Sequence, residues 1–222
     1  MFVSKRLNTI VDLIKYETIG DIACDHGFIS ILACENKGVK KSIACDLNKE
    51  PLQKCVENSK EYGFLDKIIT REVDGIKGLE AGEVDTIIIA GLGGILMKKI
   101  LSENENVFKS SKQLILQPQS DVVLMREYMV GAYFTVMEQY VEDKGKFYVI
   151  LNCEKADIPL EYNESELILG KNILYNEDFS NFVKHKIFEF EKIQSKIHKN
   201  SSKYIEIEKQ KNIFKGVLND NV

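Results

Sequence analysis

The sequence predicts an α/β fold: a Rossmann-like, mainly parallel sheet followed by an antiparallel helical hairpin. Three observations carry that prediction. Short apolar runs alternate with helical periodicity from residue 18 to about residue 131, the order that an open parallel sheet flanked by helices requires. The run Thr86-Ile87-Ile88-Ile89-Ala90 is almost wholly apolar, which suits a strand covered on both faces. From about Lys155 glycine becomes scarce and the apolar residues recur at spacings of three and four, the seam of paired helices.

The elements follow in order. Ser4 to Lys15 reads as an amphipathic helix, with Leu7, Ile10, Val11 and Ile14 on one face and Ser4 as its cap. Lys5 and Arg6 lie in its first turn, the unfavourable end of the helix dipole for cations. They read either as solvated charge or as contacts to a phosphate. A first strand at Thr18-Ile19-Gly20 leads into Asp21-Ile22-Ala23-Cys24-Asp25-His26-Gly27, an acidic turn, and Phe28 to Asn36 continues as a helix stopped by Gly38. Ser42–Asp46 is a second strand, and Asn48 and Pro51 open the helix that Gly63 ends. Lys67 to Val73 is a third strand, ending in Asp74-Gly75. After the fourth strand comes Gly91-Leu92-Gly93-Gly94, then a helix from Ile95 to about Leu101. Gln113 to Gln117 is a fifth strand broken by Pro118, and Val122 to Met129 a helix. Phe134 to Val141 and Lys146 to Cys153 read as a hairpin turned by Glu142-Asp143-Lys144-Gly145. A closing hairpin adds an antiparallel strand, as in class I methyltransferases.

The C-terminal part begins with one short helix over Leu167 to Leu174. Phe179, Val183, Ile187, Phe190, Ile193 and Ile197 then form a seam, His198 to Ser202 a polar break, and Tyr204, Ile207, Ile213 and Val217 the face of a second helix. The expected division is a sheet domain over 1–156 and a helical coiled-coil domain over 157–222. Lys192, Lys196, Lys199 and Lys203 cluster at the hairpin tip, where they either solvate an exposed end or touch phosphate.

Composition bounds the function. The net charge of −4 excludes a chain coated in positive charge but leaves room for a local basic face. Cys24, Cys34, Cys45, Cys55 and Cys153 are odd in number and without C-x-x-C spacing. They read as buried, reduced thiols, and no metal site is expected. The N-terminus lacks a signal-peptide pattern, and the longest apolar runs are too short to span a bilayer. A cytoplasmic protein without a membrane partner is expected. The oligomeric state is not legible, with a monomer favoured.

Carboxylates stand at the ends of the first three strands, where ligands bind in an open α/β sheet. Asp21 is placed to receive a cationic amine. Asp46 lies 21 residues beyond Asp25, near the spacing of a carboxylate that accepts ribose hydroxyls. Asp74-Gly75 suits an adenine, through the exocyclic amine and a close backbone approach. Gly91–Gly94 lies where an acceptor-facing loop belongs. Each feature alone has a structural alternative as a cap or turn. Together, in register on consecutive strands, they favour an S-adenosyl-L-methionine site over a dinucleotide site.

These residues resemble the bacterial tRNA (adenine(22)-N1)-methyltransferases. That family carries an Asp-Ile-small-Ser/Cys-Asp-His loop, here Asp21 to His26. It also has Gly-Glu-Val-Asp-Thr-Ile leading to Ala-Gly-Met/Leu-Gly-Gly, here Gly82 to Ile87 and Ala90 to Gly94. Leu116-Gln117-Pro118 and a helical C-terminal hairpin complete the likeness. The resemblance implies methylation of N1 of an adenine in tRNA. It implies cofactor contacts at Asp21, Ala23, Cys24, His26, Gly27, Asp46, Leu47, Asp74, Gly75, Ala90 and Gly91. It implies acceptor contacts at Gly93, Gly94, Gln117 and Pro118, to which the phosphate reading of the first helix adds Lys5 and Arg6. Asp25, between the two sets, is the expected catalytic residue, stabilising the cation that N1 methylation creates.

The chain departs from the family in three places. Ala23 stands where Gly is usual, so the turn keeps φ negative or accepts strain. Asp46 stands where Glu is common, which shortens its reach. Gln119 stands where Asn often follows the Pro. The Asn/Asp-Pro-Pro-aromatic loop that serves the exocyclic N6 is absent, which fits N1 chemistry or another acceptor. Two other readings stay open: a small-molecule methyltransferase, and a non-catalytic RNA- or protein-binding module with a decayed cofactor site.

Overall fold

The structure is a computed structural model that describes residues 4–132, 134–158 and 160–219. Helix α1 (Lys5–Asp12) starts at Ser4, whose hydroxyl accepts the Leu7 amide, and buries Ile10 and Val11. Strand β1 (Thr18–Ile22) is followed by α2 (Phe28–Asn36), β2 (Lys41–Asp46), α3 (Lys49–Glu61) and β3 (Ile68–Glu72). Then come β4 (Thr86–Ala90), α4 (Gly94–Ser102), α5 (Glu105–Ser110), β5 (Gln113–Gln117) and α6 (Val122–Gly131). Strands β6 (Phe134–Asp143) and β7 (Lys146–Lys155) close the hairpin. Lys144 and Gly145 at its tip both have positive φ, 53° and 75°, as a tight turn matched to the twist of the strands requires.

The sheet runs β3-β2-β1-β4-β5-β7-β6. Strands β1 to β5 are parallel, whereas β7 enters antiparallel beside β5 and β6 pairs with β7. Side chains alternate between two cores, as the two-residue period of a strand dictates. Ile87 and Ile89 join Ile43, Leu114, Leu116 and Leu151 on one face. Ile88 joins Ala44, Ile115 and Ile150 on the other, under α1 and α2. Each such isoleucine, fully buried, is worth about 1.5–3 kcal/mol, so the central strands are the stable platform from which the site loops hang.

The helix predicted over Leu167–Leu174 is overturned. Helix α7 spans Glu164–Leu169, capped by a reciprocal Asn163–Glu166 box, and Gly170 at φ 100° ends it. Asn172–Ile173 forms β8, the outer strand parallel to β6. A β-carbon at Gly170 would stand 2.5 Å from Glu138 Oε1, so the chain must break there to pass a buried carboxylate. Helix α5 was not predicted; its signal is Asn104, whose side chain accepts the Val107 amide. Strand β1 runs through Asp21 to Ile22, so Asp21 lies within the paired strand just before its end.

Helices α8 (Glu177–Gln194) and α9 (Ser202–Asn219) pair as a hairpin. Phe179, Val183 and Phe214 belong to the same hydrophobic cluster as the sheet. The seam loosens toward the tip. Ile193 is exposed, and Gln194 is buried instead, bonded to Glu208 at 2.7 Å and Lys211 at 2.7 Å.

One buried ion pair ties α6, β6 and α7 together. Arg126 donates to both oxygens of Glu138, at 2.8 and 2.6 Å, with both side chains at most 2 % exposed. The same guanidinium donates to the carbonyls of Leu167 and Ile168, both at 2.8 Å, and Leu169 at 3.3 Å. These are last-turn carbonyls that a helix end leaves without partners.

Candidate functional site

Strand order reverses between β1 and β4, and ligands in open α/β sheets settle in the crevice beyond the strands' carboxyl ends at such a switch. A cavity of about 340 Å³ lies there, within the range of small-molecule sites (~300–1,000 Å³). Its walls come from the turn after β1 (Asp21, Ala23 to His26), the start of α2 (Phe28, Ile29), the turn after β4 (Ala90 to Leu92), Arg6 and Leu7 of α1, and Gln119.

Asp21 is 2 % exposed. The Ser30 amide and hydroxyl both donate to its Oδ2, at 3.2 and 2.7 Å, and the Ser42 hydroxyl supports Ser30 at 2.8 Å. Oδ1 is thus the acceptor left for a ligand. Burial pushes the carboxyl up to about 7, against the opposing Ser30 hydrogen bonds. A carboxylate so poised gains from any cation that reaches it.

The turn after β1 is unusually wound. Ala23, Asp25 and Gly27 have φ of 56°, 51° and 74°. At Gly27 a β-carbon would fall 2.3 Å from Cys55 Sγ, so α3 packs directly on the backbone. Ala23 accepts the strain anticipated for it. A left-handed conformation costs an L-residue about 1–2 kcal/mol. Ala23→Gly is therefore expected to raise stability by about 0.5–1 kcal/mol net of unfolded-state entropy. That is a Tm rise of roughly 1–4 °C, readable in thermal melts.

Cys24 is buried, its amide bonded to the Cys45 carbonyl at 3.0 Å. A hydrogen bond with Cys55 and burial push its thiol far up, so it serves as neutral packing beside the cavity and not as a nucleophile. Among the described residues all five cysteines are free and buried. Asp25, by contrast, has a side chain 74 % exposed at the cavity mouth, with His26 Nε2 3.4 Å away.

Asp46 stands beside this turn. Its Oδ1 accepts the Asn48 amide at 2.9 Å, and its Oδ2 lies 3.4 Å from the Asp25 amide. Leu47 is exposed. Asp74 sits further out, paired with Lys77 at 2.8 Å, and that lysine holds its carboxyl below the usual range. Gly75 has φ 60°, and a β-carbon would meet Ile100 at 2.9 Å. Asp46, Leu47, Asp74 and Gly75 flank the cavity without lining it.

The turns after β4 and β5 are stapled together. The Gly91 amide donates to the Gln117 carbonyl at 3.0 Å, Gly94 to Ser120 at 3.1 Å, and Gln119 to Leu92 at 2.9 Å. A β-carbon at Gly94 would stand 2.8 Å from the Asp121 carbonyl, so this glycine permits the close approach of two loops. Gly93 caps α4. Gln117 is fully buried, and its Oε1 accepts Arg6 Nη1 at 2.6 Å. The Arg6 guanidinium lies 5.2 Å over the Tyr148 ring. Lys5 points elsewhere, to Asp178 at 2.6 Å.

The structure thus gathers Asp21, Ala23, Cys24, Asp25, His26, Ala90, Gly91 and Arg6 around one cavity, whereas Gly27, Gly93, Gly94, Gln117 and Pro118 do not line it. It adds Leu7, Phe28 and Ile29, which the sequence shows only as helix residues because a helix-face pattern does not distinguish packing from lining, together with Leu92 of the loop after β4 and Gln119. Among the described residues no cluster suited to a metal ion is present, and no helix is long and apolar enough to cross a membrane.

Residues 3–151 match the family described as a methyltransferase domain. The chain is 29% identical over 170 residues to the tRNA (adenine(22)-N(1))-methyltransferase of Bacillus subtilis, covering 76% of this chain and 71% of that protein. Its structure is similar to that of a putative tRNA (m1A22) methyltransferase from Streptococcus pneumoniae, with a TM-score of 0.88, 26% identity, and 98% of this chain and 100% of the other covered. A second structure of that protein, in complex with S-adenosyl-L-methionine, gives a TM-score of 0.81 at 25% identity over 98% and 100% of the two chains.

Proposed function

The chain belongs to the methyltransferase-domain family, and from that premise we propose that it methylates N1 of adenine 22 in tRNA, with S-adenosyl-L-methionine as donor. The observation that carries the reading is the cavity at the β1–β4 switch. It has a buried carboxylate as its floor and two stapled loops on the acceptor side. The residues present fit the donor: Asp21 Oδ1 for the α-amine, Asp46 for the ribose hydroxyls, and the turn at Gly91, which lines the cavity, for close backbone approach. When bound, the donor supplies a methyl group on a cationic sulfur.

The chain's own part is positional. N1 of adenine carries an in-plane lone pair and needs no base to activate it. Holding it in line supplies the acceleration. N1 is normally engaged in pairing or tertiary contacts, so the base must be exposed before it can enter. The Gly91–Gly94 and Pro118–Asp121 loops form the wall it meets. Transfer leaves a positive charge on the adenine, and Asp25 at the mouth offsets it. Because that carboxylate is largely in water, where a charge interaction is screened, its effect is modest. Asp25→Asn is expected to lower kcat about tenfold in steady-state methylation of tRNA, with donor affinity unchanged by calorimetry. Unchanged kcat removes Asp25 from the mechanism.

The reaction is tested by incubating the protein with unmodified tRNA and methyl donor, then mapping methylated nucleosides by mass. The expected product is N1-methyladenosine at position 22. Methyl transfer confined to small acceptors, or no transfer with donor bound, overturns the reading.

A further inference from the structure

A second groove adjoins the cavity and belongs to none of the roles above. It has a volume of about 530 Å³ and runs from Pro118 and Gln119, along Lys146, Phe147 and Tyr148 of β7, to the face of α8 that carries Phe182 and His185. Gln119 lines both spaces. Arg6 bridges them from the other side, lining the cavity while covering the Tyr148 ring. The two spaces are therefore neighbours, with Gln119 and the Arg6–Tyr148 stack between them.

The lining has a particular chemistry. The half-buried Phe147 ring lies 5.3 Å from the His185 ring and 5.8 Å from Phe182. These are flat, partly wet aromatic faces on the surface. The Lys186 ammonium is paired with Glu189 at 2.8 Å. Lys146 is exposed, and among the described residues its ammonium has no carboxylate within 4.0 Å. Aromatic faces and an unneutralised cation lining one groove are what a single-stranded nucleotide uses, the base stacking and the phosphate pairing with the lysine. Lys146 and Phe147, successive in β7, leave opposite faces of the strand and so line different walls of the groove.

Resting on the tRNA reading, we propose that this groove seats the nucleotide next to the target adenine. Its base stacks on Phe147 and His185, and its phosphate meets Lys146. A base drawn out of its helix pulls its strand neighbours with it, and this groove adjoins the cavity that the base would enter. The charge agrees: the groove offers Lys146 in a chain whose net charge is −4. Phe182 belongs to the core through its contacts with Tyr140 and Phe214, so the stacking surface is rigidly held.

The test uses the full chain with Phe147→Leu, which keeps apolar bulk but loses the ring, and Lys146→Glu. Initial rates are measured against tRNA concentration at saturating donor, with donor Kd by calorimetry and folding by thermal melts. Phe147→Leu is expected to raise the KM for tRNA about tenfold, the scale of one lost base stack, with donor Kd within twofold. Lys146→Glu is expected to raise KM similarly and to flatten its salt dependence by about one phosphate contact. Lys109→Glu, on α5 and remote from the groove, is the control and is expected to leave KM unchanged. If both groove variants keep KM within twofold while the wild type makes N1-methyladenosine, the groove assignment is overturned and a protein occupant becomes the better account. If the wild type makes no methylated adenine in tRNA, it is the reaction that fails.

Discussion

Asp21→Asn is expected to raise the Tm of the cofactor-free protein at pH 8 and to weaken S-adenosyl-L-methionine about 10- to 100-fold. The two effects have one cause. Burial holds the Asp21 carboxyl up at about 7, against 3.8 for the free group, so the native state keeps a proton that the unfolded chain releases. Stability from this group is complete below about pH 4 and is lost as pH rises through 7. Asparagine carries no such loss, and its carbonyl can still accept the two Ser30 bonds. The gain at pH 8 is at least the roughly 3 °C that 1 kcal/mol gives in a chain of this size, and it vanishes near pH 4. Binding runs the other way. A cationic amine at Oδ1 favours the ionised carboxylate, and a charge-assisted hydrogen bond of this kind is worth about 1.5–3 kcal/mol. Wild-type affinity is accordingly expected to fall about tenfold between pH 8 and pH 6. Binding near pH 6 then releases a proton, visible by calorimetry in buffers of different ionisation enthalpy. A donor Kd that is flat from pH 6 to pH 8 would show that Asp21 does not hold the amine.

Which parts were legible follows from where the information resides. The central strands announce themselves because they bury both faces, as Thr86–Ala90 does, and the hairpin because β6 alternates from Phe134 to Tyr140. Asp21, Asp46 and Asp74 were singled out because a carboxylate at a strand end is a local signal; of the three, Asp21 lines the cavity. Much of what was missed depends on contacts between segments far apart in the chain. Residues 170–173 read as helix because Leu167, Ile168 and Leu169 continue an apolar pattern. Gly170 ends that pattern through its positive φ, a local stop the pattern passed over, and Glu138, 32 residues earlier, occupies the space a side chain there would need. Arg6 read as solvated charge or a phosphate contact, since nothing near it in sequence predicts Gln117 or Tyr148 as partners. Arg126 read only as part of the helix over Val122 to Met129; its acceptors lie 12, 14 and 41 to 43 residues away.

Arg126 also governs the largest stability effect expected. Glu138→Gln keeps the shape of the side chain but leaves the guanidinium charged and buried without its carboxylate. Breaking a buried pair from one side costs about 3–5 kcal/mol, a Tm fall of roughly 6–20 °C. Replacing both partners by apolar residues is often neutral where a pair serves only itself. Here it does not. In Arg126→Met/Glu138→Leu the carbonyls of Leu167 and Ile168 lose their donor. The Leu169 carbonyl keeps only the Tyr140 hydroxyl, at 2.8 Å. Stranded acceptors of that kind cost about 1–3 kcal/mol each when buried, so the double variant is expected to stay well below wild type in chemical denaturation. Recovery to wild-type stability would mean that the guanidinium serves the carboxylate alone. The same arrangement explains why removing the chain beyond residue 160 is a poor probe of what the C-terminal helices bind. Truncation takes away β8, the carbonyls of α7 and the Phe179–Val183 face of the core together, so loss of tRNA methylation would report a damaged sheet before it reported a missing contact.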